Sequence, residues 1–382
     1  MWDFRRTPVA SQQYKAFAAT APGLEEPLVD ELRQLGLRAK KEPGGASFST
    51  DAEGLYAVNL FSHLAGRVTV EVARAKADNL QTLARGAQNA GWKRYVWPGQ
   101  PVEVKATTSG ARLRNRAAVA NKVSLAIKDA LRGPRLPGPR PPRTPANVHV
   151  HVDGVSARIS VDASGELLHR RGWRQATAKA PIRENYAATI LRLAEWMPGE
   201  PLVDPMCGSG TFCIEAATIA AGRAPGGERS FGFELWPSFD KSLMDGLRRE
   251  ARSAEPLAEG GLFLAADRDA GAVKATSSNA RRAGVAGMLQ IRQESFGKLE
   301  APASTGLLVA NPPYGQRVGE GGSDWRAFSR ILRERWQGWR VAVVVPPLAK
   351  RALMSAGLEQ VADFKTGGIP VVVLVGEIAR NR

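Results

Sequence analysis

The spacing of hydrophobic and polar positions changes character along the chain, and the change divides it. Up to about residue 165, alternating runs are interleaved with amphipathic ones. Tyr14–Ala19 (YKAFAA) alternates as a half-buried strand. Residues 23–35 set Leu24, Leu28, Leu32 and Leu35 on one helical face, and Gly36 follows where a helix C-cap belongs. Residues 46–49 predict a strand and 53–61 a second helix. A larger version follows, with strands at 68–73 and 101–107, a helix at 79–89 and a long amphipathic helix at 112–131. That helix has Val119, Val123, Ile127 and Leu131 at intervals of four, and its first turns carry Arg112, Arg114 and Arg116. Residues 133–145 are too rich in proline for a regular element and predict an extended loop. Residues 148–152 and 157–161 predict a hairpin turning at Asp153-Gly154.

After a junction at 162–185, with a short strand expected at 167–169, short unbroken apolar runs alternate with helical patterns. Strands are predicted at 202–203, 262–266, 288–292, Leu307–Ala310, 341–345, 360–364 and 371–375. Helices are predicted at 185–196, 211–221, Ala270–Arg282, 325–336 and 349–356. This is the signature of a doubly wound, mostly parallel α/β sheet. The expected organisation is a polar tail and small α+β region over 1–66, a second α+β unit over 67–165, and the doubly wound domain over 166–382.

Charge sharpens this division. The chain of 382 residues carries a formal charge of +16, which calls for an anionic partner, nucleic acid first. Residues 101–150 hold ten Lys/Arg, Lys122 among them, against Glu103 and Asp129, whereas residues 201–250 hold five bases and seven acids. A basic binding module joined to a catalytic one is therefore expected. Two cysteines and four histidines make neither a disulfide framework nor a zinc pattern, so a reducing cytoplasm and no metal are expected. No apolar run is long enough to span a membrane, and the first residues lack the apolar segment of a secretory signal.

Two turns in the second half carry chemistry. In the first, the strand ending at Asp204 runs into Pro205-Met206-Cys207-Gly208-Ser209-Gly210 and a helix. Glycines there let the backbone approach a ligand closely. The third glycine of a dinucleotide fold is missing, which excludes a nicotinamide fingerprint, and so is the Gly-Lys-Ser/Thr of a phosphate loop. A carboxylate ahead of the glycines repels pyrophosphate but suits an ammonium or sulfonium, and S-adenosylmethionine carries both. The next strand ends at Asp267-Arg268-Asp269. Asp267 is placed to accept from ribose hydroxyls, and Asp269 to cap the following helix. An adenine edge is expected near Glu294, Ser295 and Phe296. The second turn, Asn311-Pro312-Pro313-Tyr314, follows an apolar strand. Two prolines cannot continue a ladder, so the turn is stiff. Its amide oxygen and a proline carbonyl suit the two N–H bonds of an aromatic amine, and Tyr314 suits stacking on a base. The plain alternative is a proline turn that merely ends a strand. Cys207 and Cys213 have no base beside them in sequence, which argues against a covalent mechanism.

The chain resembles the THUMP-domain RNA methyltransferases of bacteria, and within them the 23S rRNA guanine-N2 methyltransferases. The resemblance rests on LHRRGWR (168–174), KAPIREN (179–185), LVDPMCGSGTFCIEAA (202–217), RAP (223–225), FGFELWPSFD (231–240) and VANPPYGQRV (309–318). It implies a Rossmann-like class I methyltransferase domain preceded by a ferredoxin-like/THUMP module, with S-adenosylmethionine as cofactor. It also implies that the segment from Pro181 through Glu184 and Asn185 leads a helix past the cofactor's methionine end, and that Asn311, Pro312 and Tyr314 hold the base. RNA is the implied partner, 23S rRNA first and tRNA second, and a monomer is expected. The motif also serves adenine N6 and cytosine N4, so a tRNA guanine-N2 or adenine-N6 enzyme stays open, as does a catalytically silent RNA-binding assembly protein. Two departures stand out. The family usually has aspartate where Ser295 stands, so Ser295 or Glu294 must take over. The larger family members carry a second methyltransferase domain, and a single active site is expected here. Arg170, Arg171 and Arg174 are candidates for RNA backbone contact, with a plain solvated face as the alternative. Glu234 and Trp236, in the insertion after the first helix of the doubly wound domain, are expected to be structural.

Overall fold

The computed structural model describes residues 13–132, 140–176, 181–258, 261–313 and 325–380. Most of the expected tail, residues 133–139 of the proline-rich stretch and Tyr314 lie outside the described residues.

The first half contains β1 (Tyr14–Ala19), α1 (Glu25–Gln34), β2 (Lys40–Glu42), β3 (Gly45–Thr50), α2 (Ala52–Phe61), β4 (Arg67–Lys76), α3 (Leu80–Gln88), β5 (Val102–Ser109), α4 (Arg116–Ala130), β6 (Ala146–Asp153) and β7 (Ser156–Asp162). Its strands form one seven-stranded sheet in the order β2-β3-β1-β4-β7-β6-β5. The ten-residue β4 joins both expected α+β units, because its first residues pair with β1 and its remainder with β7. The line drawn at residue 66 therefore falls within one continuous sheet. Alternation holds along β6, where Val148, Val150 and Val152 are buried while His151 and Asp153 are exposed. One face thus meets the core and the other is polar.

Two local expectations need correction, and one strand was not anticipated. The strand β2 (Lys-Lys-Glu) has no apolar position to betray it, and it exists only by pairing with β3 at the sheet edge. The helix expected from residue 112 begins at Arg116, because the Asn115 side chain caps it by accepting from the Ala118 N–H at 3.0 Å. Arg112 and Arg114 therefore precede the helix. Residues 167–169 form a tight turn, with the Arg171 N–H donating to the His169 carbonyl, where a strand was expected.

The second half contains α5 (Glu184–Leu193), β8 (Leu202–Asp204), α6 (Thr211–Ala220), α7 (Lys241–Arg252), β9 (Phe263–Asp267), α8 (Ala270–Arg282), β10 (Leu289–Gln293), β11 (Leu307–Ala310), α9 (Trp325–Arg335), β12 (Arg340–Val345), α10 (Lys350–Met354), β13 (Glu359–Thr366) and β14 (Ile369–Glu377). The sheet order is β10-β9-β8-β11-β12-β14-β13, parallel from β10 to β12, with β14 antiparallel to both neighbours. Chain order reverses between β8 and β11. In open α/β sheets that reversal opens a crevice at the strands' carboxyl ends, where ligands bind.

The halves are fastened at three places. Ala21 and Leu24, from the turn after β1, enter the core of the second sheet beside Tyr186 and Phe364. Gly23 (φ +96°) packs so closely there that a Cβ would lie 1.9 Å from the Asp363 carbonyl oxygen, so only glycine fits. The turn at 62–65 is organised by the buried Glu31, whose carboxylate accepts from the Ser62 hydroxyl and the His63 and Leu64 N–H groups. That turn reaches α5, where the Asn185 amide donates to the Leu64 carbonyl at 3.2 Å. The insertion after α6 packs into the first sheet's core, although it belongs to the second half by chain order. The Phe233 ring stacks on Tyr56 at 4.2 Å, Trp236 lies against Tyr14 and Tyr95, and the Trp97 indole donates to the Leu235 carbonyl. Glu234 accepts from the Phe231 N–H and from Arg248. Both Glu234 and Trp236 are structural, as expected. Helix α7, missed in the sequence, buries only Met244 and Leu247 along a polar length.

Candidate active site

β8 ends on Asp204, which is 2% exposed, and the chain turns at once through Pro205 and Met206 to the glycines. The Asp204 carboxylate accepts from the Met206 N–H at 3.1 Å. Burial pushes its pKa up to about 8, and the neighbouring Asp267 carboxylate adds to the rise. Gly210 (φ +84°) begins α6, and a Cβ there would lie 2.7 Å from the Thr276 side chain. Thr276 in turn donates to the Gly208 carbonyl and contacts the Cys207 sulfur. Cys207 is buried filler, as its neighbours suggest, and burial holds its thiol far above the usual range.

β9 delivers Asp267 beside this turn. One carboxylate oxygen accepts from the Gly208 N–H at 3.0 Å and the other from the Asp269 N–H. Asp269 caps α8 by accepting from the Gly271 and Ala272 N–H groups. After β10, the Glu294 N–H donates to the Asp267 carbonyl, so the turn at 294–296 is tied to the end of β9. Ser295 and Glu294 are both half-buried there. The Phe296 ring, expected near the cofactor, is spent on packing, 4.7 Å from Phe328.

β8 pairs directly with β11, Val203 level with Leu308. Asn311, Pro312 and Pro313 therefore leave β11 beside the Asp204 turn, about one strand spacing of 4.8 Å away. Asn311 is half-buried, Pro312 buried and Pro313 exposed.

The arginines of the junction divide. Arg170 is exposed and pairs with Glu166. Arg171, expected at an RNA surface, is buried instead. Its guanidinium donates to the Leu168 and His63 carbonyls and lies 3.5 Å from Glu215 on α6. Burial acts to raise the Glu215 pKa, but Arg171 and then His63 outweigh it and hold the carboxyl below its ordinary range. Arg174 is also turned inward. It donates to the Ile182 carbonyl and to the hydroxyl of Thr211, the first residue of α6, and it pairs with Glu184 at 3.2 Å. Arg174 thus locks the start of α5 to the end of the glycine turn. Burial still pushes Glu184 up to about 7, which Arg174 only partly offsets. Pro181, just ahead, is exposed. Sequence reasoning missed Asn279 on α8, which is fully buried. Its amide donates to the Ser209 and Ala176 carbonyls and its oxygen accepts from Arg282. Apart from Arg282 on the same helix, its partners stand at distant sequence positions and give no local signal. On the first sheet, Arg112, Arg114 and Arg116 are exposed and Lys122 is half-buried.

Several buried polar atoms around the glycine turn have no hydrogen-bond partner: Glu184 Oε2, Asn185 Oδ1 and Ser209 Oγ. Acceptor oxygens beside a buried acid that resists ionisation suit a cationic ligand. The ammonium and sulfonium of S-adenosylmethionine fit this set, and Asp267 is placed for its ribose.

The description "RMKL-like, methyltransferase domain" matches residues 171–365, and "RlmL ferredoxin-like domain" matches residues 15–69. The chain belongs to the RMKL-like methyltransferase family. A Synechocystis sp. protein named as an RNA methyltransferase is 34% identical over 95% of this chain and 96% of its own length. The ribosomal RNA large subunit methyltransferase K/L of Methylococcus capsulatus is 37% identical over 86% of this chain, which spans 46% of that longer protein. The structure of the methyltransferase SMU.472, solved with S-adenosylhomocysteine, superposes with a TM-score of 0.84 at 28% identity, covering 97% of this chain and 100% of that one. The methyltransferase domain is Rossmann-like and the module before it is ferredoxin-like/THUMP. Among the described residues no helix is long and apolar enough to cross a membrane, and no group of His, Cys, Asp and Glu is arranged to hold a metal.

Proposed function

We propose that this methyltransferase acts on RNA and delivers its methyl group to the exocyclic N2 of a guanine in 23S rRNA. The observation that carries the reading is the pairing of β8 with β11, which sets Asn311-Pro312-Pro313 beside the Asp204 turn. When bound, S-adenosylmethionine supplies a methyl group made electrophilic by the adjoining sulfonium. Asp204, Glu184 and Asn185 hold the methionine end, and Asp267 holds the ribose. The Ser295-Phe296 turn meets the adenine.

The acceptor amine is a poor nucleophile because its lone pair is delocalised into the base. The Asn311 side-chain oxygen and the Pro312 carbonyl accept its two N–H bonds and help the nitrogen rehybridise. As the N–C bond forms the C–S bond breaks, and the nitrogen then loses a proton. The base must leave its stack, at a cost of about a few kcal/mol. Stacking on Tyr314 offsets about 1–3 kcal/mol of it. Holding nitrogen, methyl and sulfur in line supplies most of the acceleration. Arg112, Arg114, Arg116 and Lys122 on the first half, with Arg170 at the junction, bind RNA backbone.

Large-subunit ribosomal RNA is supported by the name of the Methylococcus relative, and guanine N2 by the resemblance of the sequence motifs. Nucleoside mapping of 23S rRNA and tRNA from cells with and without the gene tests it. We expect one 2-methylguanosine to vanish from 23S rRNA. Its loss from tRNA would support the tRNA reading, loss of 6-methyladenosine an adenine-N6 reading, and no change a non-catalytic assembly role.

A further inference from the structure

Leu348 is 76% exposed, more than any other exposed large hydrophobic among the described residues. It stands on a single 3-10 turn, Pro347–Ala349, between β12 and α10. Pro346 and Pro347 stiffen the approach, the Ala349 N–H donates to the Pro346 carbonyl, and Ala349 and Leu353 are buried beneath. The turn is therefore a rigid support for a side chain left in water.

Its place matters more than its exposure, because single exposed leucines are common. β12 is the parallel neighbour of β11, with Ala310 level with Val343. Counting on in that register, Pro312 is level with Val345, the last residue of β12. Leu348 thus rises three residues beyond, at the same carboxyl edge as the Asn311 turn. A basic residue follows it: Arg351 is exposed in the first turn of α10.

We propose that Leu348 is a wedge that enters the RNA stack next to the nucleotide delivered to Asn311, while Arg351 holds a flanking phosphate. A base that leaves its stack exposes the faces of its neighbours, and an apolar side chain placed against them offsets the unstacking. Arg351 alone would suit phosphate binding. A rigid, apolar side chain beside it suits a base face. The proposal rests on reading Asn311-Pro312-Pro313-Tyr314 as the acceptor site.

The test uses the full chain and total RNA from cells lacking the gene, with methyl incorporation from labelled S-adenosylmethionine and RNA affinity by gel shift. For Leu348→Ala we expect kcat to fall about tenfold, the equivalent of about 1.4 kcal/mol. RNA and cofactor affinity should stay within about twofold of the parent, and Leu348→Met should recover most of the rate, since its volume is similar. For Arg351→Ala we expect KM to rise about threefold, with a shallower salt dependence and kcat unchanged. An unchanged kcat in Leu348→Ala, or a loss explained wholly by weaker RNA or cofactor binding, overturns the wedge. Incorporation by Asn311→Ala at the parental rate overturns the acceptor reading instead.

Discussion

Along β5, half-buried and exposed residues alternate without a break, whereas every residue of β11 and all but the first of β12 are buried. At β5 the first sheet keeps one face polar and open to water. The second is covered on both faces, by the two core clusters that contain Val309 and Val343. Chemistry on it is confined to the edge where its strands end. The seam between them is built from charge as well as apolar packing, and its buried ions sit directly behind the cofactor turn.

The largest effect should come from that seam. Arg171→Ala removes the guanidinium 3.5 Å from the 1%-exposed Glu215 carboxylate and leaves His63 at 4.0 Å. We expect a loss of about 3–5 kcal/mol in denaturant unfolding. A loss under about 1 kcal/mol would make the seam dispensable.

Next comes Asp204→Asn, expected to weaken S-adenosylmethionine binding about a hundredfold, or about 2.7 kcal/mol. Asp204 titrates near 8 when folded and near 3.8 as an ordinary side chain. The folded, cofactor-free protein therefore binds this proton more tightly than the unfolded chain. The stability contribution is present below about pH 4 and is lost as pH rises to about 8. A cation favours the ionised form, so cofactor affinity should rise with pH up to about 8, with proton release in calorimetry. Asp204→Asn should flatten that profile and be more stable than the parent at pH 9 without cofactor.

The sheets themselves can be compared by a matched pair. Val343→Ala, fully buried in β12, should cost about 2 kcal/mol. Thr107→Ala, on the exposed face of β5 with only a hydroxyl contact to His151, should stay within about 0.5 kcal/mol. Equal costs would contradict the contrast between a covered sheet and an open one.

Much of the catalytic half was legible because its signals are local. Asp204, Gly208, Gly210, Asp267 and Asn311 each stand at a strand end that an apolar run predicts, and the cap at Asp269 follows from the residues beside it. The failures are of the opposite kind. Arg171 and Arg174 read as surface charge because their partners, Glu215 and Glu184, stand elsewhere in the chain. Asn279 looked like an ordinary helix residue for the same reason. β2 has no apolar periodicity, since an edge strand needs only backbone pairing. The start of α4 was set by one side-chain cap at Asn115 that periodicity cannot weigh. The insertion's aromatics announced packing but not its direction, which is across the seam into the other sheet.

The central claim is that cofactor and acceptor are held by separate turns on adjacent strands. Asn311→Ala tests it when methyl incorporation into RNA and S-adenosylmethionine affinity are measured on one preparation. The account predicts that incorporation is lost by at least about a thousandfold, on the order of 4 kcal/mol, while cofactor affinity stays within about threefold. Retained incorporation, or cofactor binding lost together with it, would contradict the account.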